Sequence, residues 1–209
     1  MRLTAAELRY SETAFVKPLA SGGYHTRYFT PTDEVDLCGH ATIGAFFVLM
    51  SQGMIKPGTT LTNRTLAGDL GISVDEGKVM MDMATPQHLG DIQSPEALDE
   101  LYGVMGLDPV PVTVKSADGG AVNLLPSMIS TGLPDIMLPV ATSAQLAAIN
   151  PDYEALSQLS KKYQVVGVHA FTLPDDKKDA NAFCRNFAPL YGIPEEAATG
   201  TSNGALTYY

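Results

Sequence analysis

The sequence predicts an α+β fold built as two related lobes, and three observations carry that expectation. A motif occurs twice. Its first copy is Arg27-Tyr28-Phe29-Thr30-Pro31 with Leu37-Cys38-Gly39-His40-Ala41-Thr42-Ile43-Gly44-Ala45. Its second is Arg185-Asn186-Phe187-Ala188-Pro189 with Ala198-Thr199-Gly200-Thr201-Ser202-Asn203-Gly204-Ala205. Each copy reads as a strand ending in Arg-x-Phe-x-Pro, a loop with acidic residues, and a small-residue turn opening a helix. The glycine spacing of the second helix start differs by one residue, so the repeat is diverged. Short strand candidates also crowd the middle of the chain. Finally, helical patterns are few and do not alternate strictly with strands.

In chain order, residues 3–9 have helical character. Strands are expected at about 12–17 and 24–30, then the first motif helix at about 40–52, ended by Gly53, Pro57 and Gly58. Further strands are expected at about 59–63, 70–75, 78–84, 111–116, 121–129 and 135–139, with Gly68, Gly71, Gly77 and Gly119-Gly120 supplying turns. Ser94-Pro95-Glu96 starts a capped helix: serine at the N-cap, proline at the first position, an acid in the first turn. A second such helix spans about 152–162 after Asn150-Pro151. Val165 to Leu173 is a continuous apolar strand, and Asn181 to Phe187 its hairpin partner across the polar Pro174–Asp179 loop. The change of lobe falls between about 85 and 110.

Composition narrows the function classes. The 209 residues suffice for one large domain or two lobes, and a 45% hydrophobic content with mean hydropathy of +0.04 marks a globular chain. A net charge of −10 and a pI near 4.7 argue against nucleic acid, which calls for clustered Lys and Arg. The close basic pairs, Lys161-Lys162 and Lys177-Lys178, read as solvated surface. Two cysteines, Cys38 and Cys184, are expected to make neither a disulfide framework nor a zinc site. The four histidines show no metal-ligand spacing. No signal peptide or bilayer-length apolar run is read. The expectation is a soluble cytoplasmic protein without a metal.

Several residues invite a chemical reading beside a plain one. Glu12 lies where a helix gives way to an apolar strand, a setting that raises a carboxyl pKa and suits acid/base work; it also reads as a strand-edge glutamate facing water. His40, at a helix start beside Gly39, is placed to meet a carboxylate while backbone N–H groups bind the anion, or to cap or pack. A helix N-terminus activates a thiol such as Cys38, yet free cysteines are commonly core residues. Glu195-Glu196 read as acids stabilising a helix dipole, at least one of them purely so. Thr201 and Ser202 read as ligand donors or caps. Arg27 and Arg185 read as an anion clamp or, more simply, as braces. Phosphate-loop and dinucleotide glycine spacings are absent, and no Ser-His-Asp pattern stands out.

Taken together, Tyr10-Ser11-Glu12-Thr13-Ala14-Phe15-Val16, Arg27-Tyr28-Phe29-Thr30-Pro31, Cys38-Gly39-His40-Ala41-Thr42, and Phe187-Ala188-Pro189 with Ala198-Thr199-Gly200-Thr201 resemble the phenazine-biosynthesis-like (PhzF-type) isomerase family, within the diaminopimelate epimerase fold. The resemblance implies two pseudo-symmetric lobes, each a barrel-like, mostly antiparallel sheet around a central helix, here residues 1–90 and 91–209, with the site in the cleft. It implies proton transfer on a small carboxylate substrate without a cofactor, no membrane or nucleic-acid partner, and a homodimer. It assigns Glu12 as the general acid/base and His40 as the histidine of the Gly-His motif. Gly39, Gly200 and Thr201 fall to substrate binding, as does Glu196, at a position usually Asp; Thr201 stands where Ser is usual.

Epimerases of the same fold use two cysteines. Cys38 matches the first, but the second position is Thr199, which disfavours a two-thiol racemase. The resemblance also lacks a first strand and Gly-Asn-Pro loop ahead of Met1, and Tyr209 comes about two turns into the second central helix. A fragment with an incomplete second lobe is therefore expected. The leading function is a cofactor-independent isomerase of small hydroxy or amino carboxylic acids. Its rivals are an epimerase working through Cys38 and a non-catalytic chain that binds only a ligand or a partner.

Overall fold

The computed structural model describes residues 1–116, 118–174, 180–197 and 199–209. Ala198 of the second motif, the Lys177-Lys178 pair and most of the expected Pro174–Asp179 loop lie outside them. Two units are formed, Met1–Met83 and Ala84–Tyr209.

The first unit contains α1 (Arg2–Leu8), β1 (Thr13–Pro18), β2 (Tyr24–Phe29), β3 (Glu34–Val35), α2 (Gly39–Ser51), β4 (Thr59–Thr65), β5 (Gly68–Asp75) and β6 (Lys78–Met81). Its sheet runs β1-β2-β4-β5-β6, with β3 added to β2. Only β2 and β4 pair in parallel, and α2 is the crossover between them. Gly23 lies ahead of this pairing with φ +76°, and a Cβ there would stand 2.3 Å from the Thr62 carbonyl oxygen. Phe46 of α2 is fully buried with Ile55, Ile72 and Val74, and Tyr24 meets its ring edge-on at 5.5 Å. The helix is apolar on all sides, and Phe47 and Val48 on its far face are exposed.

The second unit contains β7 (Gln87–Asp91), α3 (Pro95–Val104), β8 (Val112–Lys115), β9 (Ala121–Leu124), β10 (Ser127–Ser130), β11 (Pro134–Pro139), α4 (Ser143–Ala148), α5 (Tyr153–Tyr163), β12 (Gly167–Thr172), β13 (Phe183–Ala188), a 3-10 turn (Pro189–Tyr191), β14 (Ile193–Glu196) and α6 (Gly200–Tyr208). Its sheet order is β14-β13-β12-β11-β10-β7, with β11 and β12 parallel; β8 and β9 form a separate ribbon.

Every residue of β12 is buried because both faces of the sheet are covered. Val168 and Ala170 pack with Leu101 of α3, Met105 at its C-cap, and Leu156 and Leu159 of α5. Phe171 turns the other way, toward Ala205 of α6. The continuous apolar run therefore is the central strand, and β13 is its antiparallel partner.

Sequence expectations hold for most elements. Ser94 accepts the Ala97 amide as an N-cap, and Asp152 caps α5 by accepting from Glu154 and Ala155. One strand is corrected: residues 121–129 divide at Leu125-Pro126 into β9 and β10, which enter different sheets. Proline lacks the N–H a continuous ladder would need. β7 pairs with β10, so Gln87–Asp91 belongs to the second unit. Among the described residues no helix is long and apolar enough to cross a membrane.

Candidate active site

The first unit gathers Glu12, Cys38, Gly39 and His40. Cys38 is the N-cap of α2, in extended conformation, and no side chain caps the helix. The first N–H groups of α2, beginning at Gly39, therefore lack intrahelical acceptors and carry the positive end of the helix dipole. Glu12 immediately precedes β1, which packs beside α2. Its Oε2 is buried without a hydrogen-bond partner and lies 3.4 Å from His40 Nε2. Cys38 Sγ is 3.7 Å from His40 Nδ1 and 3.8 Å from Nε2. One ligand atom from each of the three side chains falls within 4.8 Å of the others. A carboxylate, a thiol and an imidazole thus converge beside bare backbone donors.

A buried hydrogen-bond chain holds this helix start in place. Thr26 Oγ1 donates to Asn63 Oδ1 at 2.6 Å, and Asn63 Nδ2 donates to the Tyr28 hydroxyl at 3.3 Å. Thr42 Oγ1 donates to the Cys38 carbonyl at 2.7 Å, so the 2.5 Å contact between Tyr28 and Thr42 has the phenol as its donor. Thr26, Tyr28, Thr42 and Asn63 are all fully buried. Burial pushes the Tyr28 phenol above its ordinary range, which keeps it protonated.

The second unit repeats the arrangement with different chemistry. Thr199 is the N-cap of α6, again extended and without a side-chain cap bond. Gly200 and Thr201 open the helix, and Thr131 Oγ1 donates to the Thr201 carbonyl at 2.9 Å. The Thr199 and Ser202 hydroxyls lie 2.8 Å apart, and Ser202 donates to Asp135 Oδ2 at 2.5 Å. Ser202 has one proton, so Thr199 donates to it. Desolvation pushes Asp135 up to about 6, against the opposing bond from Ser202. Glu196 closes β14, opposite Asn186.

Three readings of the sequence change. Glu195 and Glu196 lie on β14, and no acid occupies the first turn of α6, so neither stabilises its dipole. Arg27 and Arg185 are not an anion clamp. Arg27 donates twice to Glu34, both bonds 2.6 Å, and Arg185 twice to Glu195, at 2.8 and 2.9 Å. Each guanidinium also covers its motif phenylalanine, Phe29 at 5.2 Å and Phe187 at 4.9 Å. Thr201 does not cap α6; Thr199 holds that position.

Tyr28, Thr42, Asn63 and Asp135 escaped the sequence reading, while Ser202, read as a ligand donor or cap, donates instead to Asp135. Asp135, an acid interrupting an apolar strand, was the available signal. A separate cavity of about 560 Å³ in the second unit, lined by His88, Asp91, Leu124, Ile129, Tyr208 and Tyr209, contains none of the predicted site residues.

A duplicated strand–helix unit, each copy opening on an uncapped helix N-terminus, is consistent with the diaminopimelate epimerase fold. A solved hydroxyproline epimerase from Agrobacterium vitis shares that fold at 15% identity and TM-score 0.55, over 94% of this chain and 57% of that one. A PhzF-family phenazine biosynthesis protein from Bacillus anthracis matches at TM-score 0.83 and 27% identity, over 99% of this chain and 68% of that one. The phenazine biosynthesis-like protein family matches residues 1–209, and the chain belongs to it. An uncharacterized isomerase of Deinococcus radiodurans is 35% identical over 99% of this chain. The chain spans 64% of that relative's length.

Proposed function

We propose that the protein is an isomerase that moves a proton on a small hydroxy or amino carboxylic acid, with Glu12 as the acid/base. The observation carrying this reading is the buried, unbonded Glu12 Oε2, 3.4 Å from His40 Nε2 and beside an uncapped helix start. A carboxylate without a competing donor is available to take a carbon-bound proton. Gly39 and the first amides of α2 receive the substrate carboxylate, where the helix dipole favours negative charge as the proton leaves. His40 hydrogen-bonds the substrate, and Glu12 redelivers the proton to the carbanionic carbon that lost it. Gly200 and Thr201 add donors for the substrate, and Glu196 orients its amino or hydroxyl group. Side chains and backbone amides supply every group this sequence of steps uses, so the reading is cofactor-independent.

The motif registers support a single base. Thr13 pairs with Phe29 and Val168 with Phe187, so the repeat counterpart of Glu12 is Gly167. A Cβ at Gly167 would stand 1.9 Å from the Phe187 carbonyl oxygen, which bars any side chain there. Cys38 favours a second reading, a thiol-based epimerase, because its sulfur adjoins His40.

The deciding experiment is deuterium incorporation from D₂O into a panel of small 2-amino and 2-hydroxy acids. General acid/base catalysis contributes ~10²–10⁴-fold, so Glu12→Gln should lose about that factor while substrate still binds. Ordinary exchange by Glu12→Gln, with loss on alkylating Cys38, would transfer the role to the thiol. Absence of exchange in the parent protein across the panel would leave a binding protein.

A further inference from the structure

We propose that Glu12, Cys38 and His40 form a three-ligand site for Zn²⁺, and that the bound cation shuts off proton transfer. The inhibitory half of this statement rests on the isomerase reading above; the binding half does not.

Geometry carries it first. Zinc binds sulfur at about 2.3 Å and nitrogen or oxygen at about 2.0–2.2 Å, so tetrahedral ligands stand ~3.4 Å apart for N and O and ~3.6 Å apart for N and S. His40 Nε2 lies 3.4 Å from Glu12 Oε2 and 3.8 Å from Cys38 Sγ. One atom of each side chain falls within 4.8 Å of the other two. The two separations to Nε2 already sit close to those a single ion would impose, and the third pair, within 4.8 Å, needs only a small inward adjustment. Nε2 is the nitrogen involved, since it is the one that faces Glu12.

The donor set and its surroundings point to the same ion. A thiolate, an imidazole and a carboxylate suit zinc; magnesium and calcium prefer oxygen alone. Thiolate and carboxylate together balance a divalent charge, and the thiol proton is released on binding. The Glu12 oxygen is buried and lacks a hydrogen-bond donor, a costly state that a cation relieves. The His40 side chain is 37% exposed, which gives the ion a route in. The site is also pre-formed: the Thr26–Asn63–Tyr28–Thr42 chain fixes the Cys38 carbonyl, and with it the helix start that carries two of the ligands. Three protein ligands leave a fourth position for water or a substrate carboxylate. With the cation in place, Glu12 cannot accept a proton from carbon.

Cobalt is the probe, because a cobalt–thiolate bond gives a charge-transfer band in the near ultraviolet. Titrating Co²⁺ into protein stripped with chelator should produce that band at one equivalent, and Zn²⁺ should displace it. Cys38→Ser should abolish the band, whereas Cys184→Ser should keep it. Glu12→Gln and His40→Ala should each weaken cobalt binding ~10-fold or more, at least as much as loss of an outer-shell partner does. No band in the parent protein overturns the site. Full affinity in Glu12→Gln and His40→Ala, each checked for a parent-like thermal transition, also overturns it and leaves a thiol adduct. These readouts need no substrate, so they stand if the isomerase reading fails. If the parent exchanges deuterium and stoichiometric Zn²⁺ leaves that rate unchanged, the inhibitory role is overturned.

Discussion

Cys38 and Thr199 hold the same backbone conformation at the same place in the two motif copies. Cys38 has φ −138° and ψ 111°, Thr199 has φ −132° and ψ 111°, and neither side chain caps the helix it precedes. The duplication has kept two open helix starts while their chemistry diverged. The thiol adjoins His40 and Glu12; the hydroxyl is tied through Ser202 to Asp135. The two copies thereby differ in chemistry: a carboxylate, a thiol and an imidazole converge in one, and a hydrogen-bonded hydroxyl chain occupies the other.

Gly167 is the point where the repeat forbids a second Glu12. Its added Cβ would also stand 3.0 Å from Ala188 Cα, and the nearer contact is with backbone, which has little room to give. Gly167→Ala should lower stability by ~1–3 kcal/mol, the range for overpacking a tight interior. Urea unfolding measures it. A neutral result would mean that β12 and β13 slide apart freely at this point, and the packing argument for one base would be lost.

Tyr28 links β2 and β4 to the N-cap of α2. Tyr28→Phe removes the acceptor of Asn63 Nδ2 and the donor to Thr42 Oγ1 while keeping the ring. Buried groups left unpaired cost about 1–3 kcal/mol. The deuterium-exchange rate should fall with stability, because the amides of α2 lose their fixed position. A Tyr28→Phe protein as stable as its parent would show that the chain does not anchor the helix.

The repeat, the first motif helix and the buried central strand were legible because each is local. Arg-x-Phe-x-Pro, Cys38-Gly39-His40 and Val165 to Leu173 are contiguous patterns. What stayed hidden is short or distant. β3 has two residues, β7 is the polar run Gln87–Asp91, and β14 contains Pro194, so none shows the alternation that marks a strand. Glu12 joins Cys38 and His40 only through the packing of β1 beside α2. Asp135 meets Ser202 across 67 residues of chain. No spacing rule reaches that far, which is why the absence of metal-ligand spacing said nothing about the cluster at Glu12.

Arg185 is predicted to matter more than its counterpart Arg27. Besides Glu195, it donates to the carbonyls of Leu146 and Ile149 at 3.1 and 2.9 Å, at the end of α4 where the helix dipole is negative. Lysine cannot supply that many donors from one rigid plane. Arg185→Lys should lower stability by roughly 1–2 kcal/mol, from the lost charge-assisted bonds. Arg27→Lys loses only the Glu34 pair and should do less. Equal effects in thermal unfolding would remove α4 anchoring as the reason for the difference.

Asp135 should make stability depend on pH in an unusual direction. Its carboxyl sits at about 6 in the folded protein, against 3.8 ordinarily, because it is buried. The folded state therefore holds a proton that the unfolded chain has released, and stability must fall as pH rises across that interval. Below the ordinary value both states are protonated and the penalty vanishes; above pH 6 it is complete, at ~3 kcal/mol for about two pH units. Asp135→Asn keeps an acceptor for Ser202 and removes the titration. The unfolding free energy of the variant minus that of its parent should thus climb by ~2.4 kcal/mol from pH 4 to pH 7, whatever its value at pH 4. A flat or falling difference would mean that Asp135 titrates normally. A climbing one would show that the fold tolerates a strained charge at neutral pH, where ionised Asp135 draws the Ser202 hydroxyl and, through it, sets Thr199 at the start of α6.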